Sequence, residues 1–417
     1  MTEVASKADV QADVIIVGAG QAGGEVASAL RQQGFTGSVV LIGDEPYVPY
    51  RRPPLSKAYL SGDMTLEALF IKAQPAYEKL NVECRFGIGV ESLDRAAKRL
   101  RLYDGTTLDY GKLVLATGGR PRKLSLPGAE HPNVHYVRTI ADIQKLKEQF
   151  GEGKKLVIIG GGYIGLEAAS VGIKKGLDVT VIEALPRVLA RVTAPEISAF
   201  YERVHKSRGV KLFTGVGVHS LEGDPLVTAV MLADGSVVPA DIIIVGIGLI
   251  PNVELADMAG IEVSNGGIVV DRYTQTSDPD IYAAGDCTFH ENLFFDRRMR
   301  LESVPNAMEQ GRIVAATITG KQQAYNAVPW FWSDQYELKL QMVGLSQGYD
   351  QLIVRGGLEG ESFVAFYLKD GVVISADAVN RPQEFMVAKK LVADRIKVDP
   401  AQLADESFIL KTLLTPA

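Results

Sequence analysis

Short apolar runs alternate with helical stretches in two separate parts of the chain. In the first part, the apolar residues after Asp13 lead into an Ala-rich stretch with helical spacing, and a second apolar run, 39–43, follows. In the second part, the runs 156–159 and 179–182 flank a similar stretch. Apolar runs bounded by turn residues are typical of strands buried on both faces. Their alternation with helices predicts two parallel βαβ units, which suggests an old duplication.

The same patterning predicts further elements in both parts. Each part continues with strand candidates around an Asp-Gly turn, and then with a buried strand that ends in a glycine-containing loop. A helix is expected over 305–318, because proline is tolerated in a first turn. The further predicted strands lie at residues 82–86, 99–103, 113–116, 241–245 and 267–271.

The pattern changes after Trp330. Segments with alternating apolar and polar residues predict antiparallel strands, joined by turns at Gly356-Gly357 and Asp370-Gly371. Amphipathic helices are expected to follow, so a third domain of the α+β type is predicted. The strand candidates are 341–344, 352–355, 363–368 and 372–377, and the helix candidates are 382–392 and 401–413.

Each of the first two parts also carries the glycine spacing G-x-G-x-x-G where a predicted strand turns into a predicted helix. An acidic residue closes the next strand, Asp44 in the first part and Glu183 in the second. The glycines let the backbone approach a pyrophosphate, the helix N-terminus offers N–H groups, and the carboxylate accepts from a ribose hydroxyl. Two such units predict two dinucleotides, an arrangement for electron transfer. The glycines are Gly18, Gly20 and Gly23, and Gly160, Gly162 and Gly165.

Composition narrows the class of protein. With 417 residues, the chain is long enough for two or three domains, and its net charge of −6 favours neither nucleic acid nor anionic membranes. The polar segment 1–9 lacks a signal-peptide pattern and no run approaches the roughly 20 apolar residues of a membrane span, so a cytoplasmic location is expected. The two cysteines, Cys84 and Cys287, form no C-x-x-C, which disfavours a disulfide framework or an iron–sulfur cluster.

Further motifs accompany the fingerprints and make a family resemblance specific. The sequences RPPLSK at 52–57, LATG at 115–118 and AAGDC at 283–287 resemble those of two-dinucleotide-binding flavoproteins of the glutathione-reductase type. Within that family, PWFWSDQY at 329–336 and NRP at 380–382 resemble the FAD-containing, NADH-dependent ferredoxin reductases of bacterial haem-monooxygenase systems.

The resemblance covers residues 13–411 and implies an α/β fold with two Rossmann-like dinucleotide-binding domains and a C-terminal α+β domain. The FAD-binding domain is expected to be discontinuous, over 10–125 and 250–328. The NADH-binding domain is expected over 126–249. The C-terminal domain, 329–417, is expected near the flavin and the partner.

The resemblance also implies residues of the FAD site. Asp286 is expected to hold the ribityl or pyrophosphate end of FAD, with a plain turn as the alternative. The helix starting near Pro305 would point its partly positive N-terminus at the flavin pyrimidine edge, with Val304 touching the flavin through its backbone. Arg122 and Arg138 match positions near the pyrophosphate, or are ordinary surface arginines. The full set is Gly18, Gly20, Ala22, Gly23, Asp44, Lys57, Val90, Thr117, Gly118, Arg122, Arg138, Asp286 and Val304.

Three residues are candidates for a catalytic role. The resemblance places Lys57 and Glu167 beside the flavin nitrogen that accepts hydride, as an ion pair, since a buried lysine and glutamate must be paired to be tolerated. The alternative is a solvent-facing lysine and an ordinary helix glutamate. Trp332 resembles the aromatic residue on the flavin side that faces the partner, with a core tryptophan as the alternative.

The second fingerprint is expected to bind NADH in preference to NADPH. A carboxylate at Glu183 repels the additional phosphate of NADPH, although the nearby Arg187 and Arg191 would weaken that preference. The resemblance makes Arg191 a contact on the adenosine side and places Gly246 over the nicotinamide. The expected NADH contacts are Gly160, Gly162, Tyr163, Ile164, Gly165, Glu183, Arg191 and Gly246.

The electron outlet is expected to be a redox protein or oxygen. Related NADH oxidases and peroxidases carry a redox cysteine where this chain has residues 55–57, so thiol chemistry is disfavoured. An acidic [2Fe–2S] ferredoxin is the expected partner, and basic residues around the 305–318 helix would attract it, unless they form only a solvated face. These residues are Arg297, Arg298, Arg300, Arg312 and Lys339.

The resemblance therefore implies an NADH:ferredoxin reductase whose ferredoxin supplies a cytochrome-type monooxygenase. Two alternatives stay open. The first is the reductase component of a ring-hydroxylating dioxygenase or rubredoxin system. The second is a regulatory flavoprotein resembling apoptosis-inducing factor, in which NADH alters association. The ferredoxin, the final substrate and the oligomeric state cannot be predicted.

Overall fold

The computed structural model describes residues 10–414, which divide into two compact units. One unit combines the chain up to residue 51 with residues 66–120 and 249–327; the other combines residues 52–65, 121–248 and the chain from residue 328. The segment 1–9, for which no signal peptide is expected, lies outside the described residues. The predicted division into FAD, NADH and C-terminal domains is finer than these two units and stays a prediction.

The first 121 residues supply most of the first unit. Their strands are β1 Val10–Val17, β2 Val39–Gly43, β3 Val82–Phe86, β4 Val90–Asp94, β5 Arg99–Leu102, β6 Thr107–Leu115 and β7 Gly119–Pro121. Their helices are α1 Gln21–Gln32, α2 Leu66–Leu69 and α3 Gln74–Lys79, with a 3-10 turn at Pro53–Ser56.

The middle of the chain repeats the strand–helix–strand order. Its strands are β8 Val134–Tyr136, β9 Lys155–Ile159, β10 Asp178–Glu183, β11 Lys211–Thr214, β12 Val218–Glu222, β13 Ala229–Leu232, β14 Val237–Pro239, β15 Ile242–Val245 and β16 Leu249–Pro251. Its helices are α4 Ile140–Gln149, α5 Tyr163–Lys174 and α6 Pro195–Ser207.

The last part of the chain first returns to the first unit and then forms the C-terminal region. The returning elements are α7 Glu254–Met258, β17 Val263–Ser264, β18 Gly267–Val270, β19 Ile281–Ala283, β20 Thr288–Asn292, β21 Arg297–Met299 and α8 Val304–Ile318. The C-terminal elements are β22 Trp330–Gln335, β23 Leu338–Gly344, β24 Gln351–Arg355, β25 Phe363–Lys369, β26 Val372–Val379, α9 Pro382–Ala393 and α10 Pro400–Ala404, with a 3-10 turn at Leu410–Leu414.

The first unit is built on a mixed sheet with the strand order β3-β2-β1-β6-β5-β4, and β19 lies beside β6. β1 pairs in parallel with β2 on one side and with β6 on the other. Its carboxyl end is therefore a switch point, where open α/β sheets bind ligands. Val26 and Leu30 of α1 share a buried cluster with Ile16 of β1 and Val314 of α8, which fixes both helices on the same face of the sheet.

The second unit contains a parallel sheet with the order β11-β10-β9-β15-β8. β9 lies between β10 and β15, so its carboxyl end is a second switch point. The antiparallel C-terminal sheet of this unit has the order β22-β23-β26-β25-β24. The α/β fold with two dinucleotide-binding halves and a C-terminal α+β region is thus confirmed.

The predicted helix over 401–413 is wrong. α10 ends at Ala404, and a separate 3-10 turn begins at Leu410. The cause is Arg355, a buried residue whose guanidinium donates to the carbonyls of Leu403, Asp405, Glu406 and Phe408. These carbonyls would serve the i→i−4 hydrogen bonds of a continuous helix, so the chain leaves the helical path.

Candidate functional site

The first fingerprint forms a turn at the carboxyl end of β1. Gly18 has a φ of +111°, and a side chain on it would collide with the Ala116 carbonyl; a side chain on Gly23 would collide with the Gly18 carbonyl. Gly20, by contrast, faces open space, with no atom within 4 Å of the position that a Cβ would take. Gly20 is also the N-cap of α1, which has no side-chain cap and no acidic residue in its first turn. The exposed N–H groups and the open space suit a phosphate.

The second fingerprint repeats this arrangement at the end of β9. Gly160 has a φ of +115° and packs against the Gly246 carbonyl, while Gly165 packs against the Gly160 carbonyl. Gly162 faces open space and caps α5 without a side-chain cap. Tyr163 and Ile164, both predicted contacts, form the first turn of α5, where Ile164 is exposed and Tyr163 is half-buried.

The two predicted ribose acceptors differ in how they are held. Glu183 Oε2 accepts from Gly161 N at 2.7 Å, and its Oε1 accepts from Leu185 N at 2.7 Å. These bonds keep the carboxylate beside the second glycine turn. Asp44 is exposed at the end of β2, and its Oδ1 accepts only a local bond from Glu45 N at 3.0 Å among the contacts described for it. Each carboxylate lies at the end of the second strand of its βαβ unit, and its role as a ribose acceptor stays a prediction.

The loop before Asp286 packs against the first fingerprint helix. Gly285 has a φ of +88°, and a side chain on it would crowd the Ala22 methyl group. Gln310 of α8 holds the loop, because its Oε1 accepts from Gly285 N at 2.7 Å. The structure thus brings Ala22 and Asp286 into one region with the start of α1. Gln310 was not predicted from the sequence, since nothing in its local pattern points to residue 285.

Thr117 and Gly118 belong to a backbone clasp in the same unit. Thr117 Oγ1 donates to the Asn252 carbonyl at 2.6 Å, Asn252 Nδ2 donates to the Thr117 carbonyl at 3.0 Å, and Asn252 N donates to the Gly118 carbonyl. The clasp fixes the loop after β6 at the switch-point edge. Val90, the first residue of β4, is half-buried.

α8 begins at Val304, as the sequence predicted within one residue. Ser303 caps it by accepting from Asn306 N, Pro305 lies in the first turn, and this turn has no acidic residue. A helix start of this composition favours an anion or a polarised carbonyl.

The remaining predicted FAD contacts lie in the second unit. Arg122 is exposed, and its backbone N donates to the Gly248 carbonyl at 2.9 Å. Arg138 is half-buried, and its carbonyl accepts from Arg52 Nη1 at 2.6 Å. These contacts hold the two loops through backbone atoms. They leave the predicted FAD contacts of both guanidinium groups as predictions.

Lys57 and Glu167 form the predicted ion pair. Lys57 follows the 3-10 turn, and its Nζ lies 2.6 Å from Glu167 Oε2 in α5. The exposed fractions are 17% for the lysine side chain and 3% for the glutamate, so the pair is open to solvent only on the lysine side. Ser56 Oγ donates to Glu167 Oε2 at 2.5 Å, and Ser333 Oγ donates to Oε1 at 2.6 Å. Donors from two distant segments thus surround one carboxylate; we call Ser56, Lys57, Glu167 and Ser333 the carboxylate cluster.

The two serines of the carboxylate cluster were not predicted from the sequence. Ser56 could have been found, because it directly precedes Lys57 and a hydroxyl next to a buried pair is a plausible donor. Ser333 lies far from Glu167 in sequence, and only its place in the motif at 329–336 sets it apart.

Trp332 lies in β22, beside the cluster residue Ser333. Its ring is half-buried and packs on Trp330 with the centroids 5.5 Å apart and the planes tilted by 32°. Lys389 Nζ lies 4.8 Å from the Trp330 ring, a cation–π contact. Trp332 is therefore partly exposed, unlike a core residue.

Arg187, one of the two arginines expected to weaken the NADH preference, is occupied within the protein. Arg187 donates to Ser198 Oγ at 2.5 Å and to the Ala190 carbonyl at 3.0 Å. Arg191 is exposed. Of the two arginines, only Arg191 is exposed, and its contact with NADH stays a prediction.

The basic residues predicted for partner docking are partly neutralised. Arg300 pairs with Glu302 at 2.9 Å and Arg312 with Glu25 at 2.8 Å. Lys339, in the second unit, pairs with Asp334 at 3.3 Å. Arg297 and Arg298 are exposed on β21.

Neither thiol is activated. Burial raises the pKa of Cys84 to about 11, and burial also raises the pKa of Cys287. Both side chains therefore stay protonated at neutral pH, and the thiolate is the reactive form. Among residues 10–414, no group of three or more His, Cys, Asp or Glu side chains is arranged so that it could hold a metal ion. Within the same residues, no helix is long and apolar enough to cross a membrane.

Known proteins of similar sequence and structure cover nearly the whole chain. Residues 12–311 match the pyridine nucleotide-disulphide oxidoreductase family, and residues 330–414 match the reductase C-terminal family. The chain is 48% identical to putidaredoxin reductase CamA from Pseudomonas putida, over 97% of each chain. It is 45% identical to the ferredoxin–NAD(P)(+) reductase fdr from Sphingomonas sp, over 98% of this chain and 99% of the relative. The crystal structure of the covalent putidaredoxin reductase–putidaredoxin complex superposes with a TM-score of 0.94 at 47% identity, covering 97% of this chain and 99% of that one.

Proposed function

The chain belongs to the pyridine nucleotide-disulphide oxidoreductase family, and on that premise we propose that it is an FAD-containing NADH:ferredoxin reductase. Electrons would pass to a [2Fe–2S] ferredoxin that supplies a cytochrome-type monooxygenase. The main support is full-length similarity to ferredoxin reductases, together with two glycine turns that each leave room for a pyrophosphate. A cytoplasmic location is part of the same proposal.

Bound FAD would supply the hydride acceptance and the single-electron release that the side chains themselves cannot supply. The protein contributes binding and electrostatics. The first glycine turn, with Asp44 and Asp286, would hold FAD, and the start of α8 would face the flavin pyrimidine edge. The second turn would hold NADH, with Glu183 accepting from the adenosine ribose and repelling a 2′-phosphate.

Lys57 and Glu167 would act at the reacting end of the nicotinamide. Lys57 is the one partly exposed member of the carboxylate cluster, and its ammonium is held by a carboxylate that also accepts hydrogen bonds from two serine hydroxyls. A fixed ammonium can orient the reacting groups and stabilise negative charge that develops beside it. Trp332, accessible and next to the cluster, would lie on the path to the partner.

Docking is proposed on the exposed face that includes Arg297 and Arg298. Ferredoxins of this type are acidic, so basic groups would speed the encounter. Arg300, Arg312 and Lys339 have acidic neighbours and would contribute only if the partner displaced these.

Steady-state kinetics with a panel of acidic [2Fe–2S] ferredoxins tests the proposal. We expect turnover that needs bound FAD, prefers NADH to NADPH, and is fast with at least one ferredoxin. An artificial one-electron acceptor serves as the control for flavin reduction. Reduction of the artificial acceptor without turnover of any ferredoxin or rubredoxin would instead support a regulatory flavoprotein. Protein that stays colourless after incubation with FAD would overturn the proposal.

A further inference from the structure

A chain of buried hydrogen bonds leads from Glu167 into the second unit. Ser333 Oγ lies 2.6 Å from Glu167 Oε1, and Gln335 Nε2 lies 3.3 Å from Ser333 Oγ. Gln335 Oε1 lies 2.9 Å from His205 Nε2, and the Tyr336 hydroxyl lies 3.0 Å from His205 Nδ1. Ser333, Gln335 and His205 are each at most 1% exposed. We call Tyr336, His205, Gln335 and Ser333 the donor chain.

The direction of every bond in the donor chain follows from the carboxylate. Ionised Glu167 can only accept, so the single hydroxyl proton of Ser333 points toward it. The Ser333 oxygen then accepts from the Gln335 amide N–H, which turns the Gln335 carbonyl oxygen toward His205. That oxygen accepts from His205 Nε2–H, and Nδ1 is left to accept from the Tyr336 hydroxyl. One protonation pattern therefore satisfies all the bonds.

The two titratable members hold this pattern at neutral pH. Burial lowers the pKa of His205 to about 4, and the Gln335 bond only partly opposes this effect. Burial also raises the pKa of Tyr336, while the Arg208 guanidinium over its ring acts in the opposite direction. The His205 imidazole and the Tyr336 phenol thus stay neutral, so no member of the donor chain carries a charge at neutral pH.

We propose that Ser333, Gln335 and His205 are positioning residues that fix the Glu167 carboxylate as the acceptor of Lys57 and so hold the Lys57 ammonium in place for hydride transfer. This inference rests on the proposed function. The donor chain orients the Glu167 carboxylate and does not conduct protons, because the Gln335 amide gives up its proton far less readily than a hydroxyl or an imidazole. Its residues act through Glu167 and need not touch either cofactor.

Rapid mixing of the FAD-loaded enzyme with NADH tests the role of Ser333. Ser333→Ala removes one hydrogen bond to a charged group, so the limiting rate of flavin reduction should fall about tenfold or more. The apparent NADH affinity should change less than about twofold, since the loss affects orientation and not binding. Ser333→Thr keeps the hydroxyl and should restore most of the rate.

The matched control is Ser375→Ala. Ser375 is also buried in the C-terminal sheet, and it donates to the Val343 carbonyl at 2.8 Å and not to Glu167. A Ser375→Ala protein should keep the wild-type rate even if both variants lose similar stability. Equal rate losses in Ser333→Ala and Ser375→Ala would overturn the proposal.

Coupling to Lys57 gives a second test. In a Lys57→Met background, Ser333→Ala should cause little further loss of the flavin reduction rate, because the group that it positions is gone. Independent, multiplicative losses would show that Ser333 acts by another route and would contradict the proposal.

Nitrogen-15 NMR of the histidines gives a readout that does not depend on hydride transfer. The chain has five histidines, and a His205→Gln sample assigns the His205 signals. We expect the neutral Nε2–H tautomer throughout the range from about pH 6 to 8, where an ordinary imidazole titrates. The Nδ1–H tautomer would reverse the donor chain, and a protonation step in that range would break it; either result overturns the proposal.

The tests separate this inference from the proposed function. If NADH does not reduce the wild-type flavoprotein, the proposed function fails first. If NADH reduces it at a normal rate and Ser333→Ala behaves like its control, only the positioning role fails.

Discussion

At the scale of the residue, the charge of Glu183 should decide between the two nicotinamide dinucleotides. Its carboxylate is held beside the second glycine turn by Gly161 N and Leu185 N. Glu183→Ala removes both the ribose acceptor and the repulsion of a 2′-phosphate. The ratio of kcat/KM for NADH to that for NADPH should fall about tenfold, the effect of one hydrogen bond to a charged group. Asp44→Asn, at the matching position of the first fingerprint, should leave the ratio unchanged.

Lys57 should matter for stability as well as for catalysis. Lys57→Met leaves Glu167 buried without its cation, which costs several kcal/mol for a fully buried pair. Because Ser56 and Ser333 still donate to the carboxylate and Lys57 is partly exposed, we expect a loss of about 2 kcal/mol in the free energy of unfolding. Denaturant unfolding of the two proteins measures it.

The control for that measurement is Lys174→Met. Lys174 Nζ pairs with Asp63 at 2.6 Å, the same distance as in the Lys57 pair, but both side chains are exposed. Surface pairs contribute little, so the unfolding midpoint should barely move. An equal loss in both variants would show that burial of Glu167 has no special energetic weight.

Within one element, the second glycine turn, one glycine should matter for binding and another for folding. Gly162→Ala places a methyl group in open space, so the fold should be unaffected. The methyl group would nevertheless enter the space that we propose for the NADH pyrophosphate. The KM for NADH should rise about tenfold, in line with the usual cost of overpacking. Gly165→Ala, by contrast, would collide with the Gly160 carbonyl and should lower the melting temperature. A Gly162→Ala protein with a normal KM for NADH would mean that the pyrophosphate does not bind beside Gly162.

A buried carboxylate joins the start of α6 to the C-terminal sheet. Thr193 Oγ1 and the Tyr367 hydroxyl donate to Asp377 Oδ2 at 2.6 and 2.5 Å, and Ala194 N donates to the Tyr367 oxygen at 3.1 Å. Burial raises the pKa of Asp377 to about 6, although both hydrogen bonds oppose this shift. The folded protein therefore takes up this proton more readily than the unfolded chain.

The raised pKa of Asp377 predicts a pH dependence of stability. Protonated Asp377 contributes fully to the free energy of unfolding below about pH 4. This contribution falls by about 1.4 kcal/mol per pH unit as the pH approaches 6, and it is constant above that. Asp377→Asn cannot titrate, so the difference in unfolding free energy between the wild type and this variant should follow that profile. Parallel pH profiles for the two proteins would contradict the assignment.

The elements also show what a sequence can and cannot predict. The glycine turns, the parallel strands and the Lys57–Glu167 pair were predicted, because each has a local pattern or belongs to a motif. The break after α10 was not, because it depends on Arg355, whose guanidinium reaches carbonyls about fifty residues away. Gln310 and His205 were missed for the same reason: a buried polar residue shows its role only through its partner.

At the scale of the whole molecule, ionic strength should separate the two half-reactions. Electrostatic steering of an acidic ferredoxin weakens as salt screens it, so kcat/KM for the ferredoxin should fall steeply between low and physiological salt. Reduction of the flavin by NADH should change much less. Arg297→Gln should lower kcat/KM for the ferredoxin, whereas Arg101→Gln, an exposed arginine paired with Glu91, should not. A salt-independent ferredoxin reaction would rule out the basic docking face.

The short segment 52–65 is encoded between pieces of the first unit, yet it packs with the second. Arg52 donates to the Arg138 carbonyl, Lys147 Nζ lies over the Tyr59 ring, and Lys174 pairs with Asp63. The second unit is thus completed by a segment that is separated in sequence from the rest of that unit. Residues 121–248 expressed by themselves would expose Glu167 without its lysine or either serine. A chimaera that takes residues 121–248 from a relative should therefore take residues 52–65 from the same relative, so that Glu167 keeps its matching lysine.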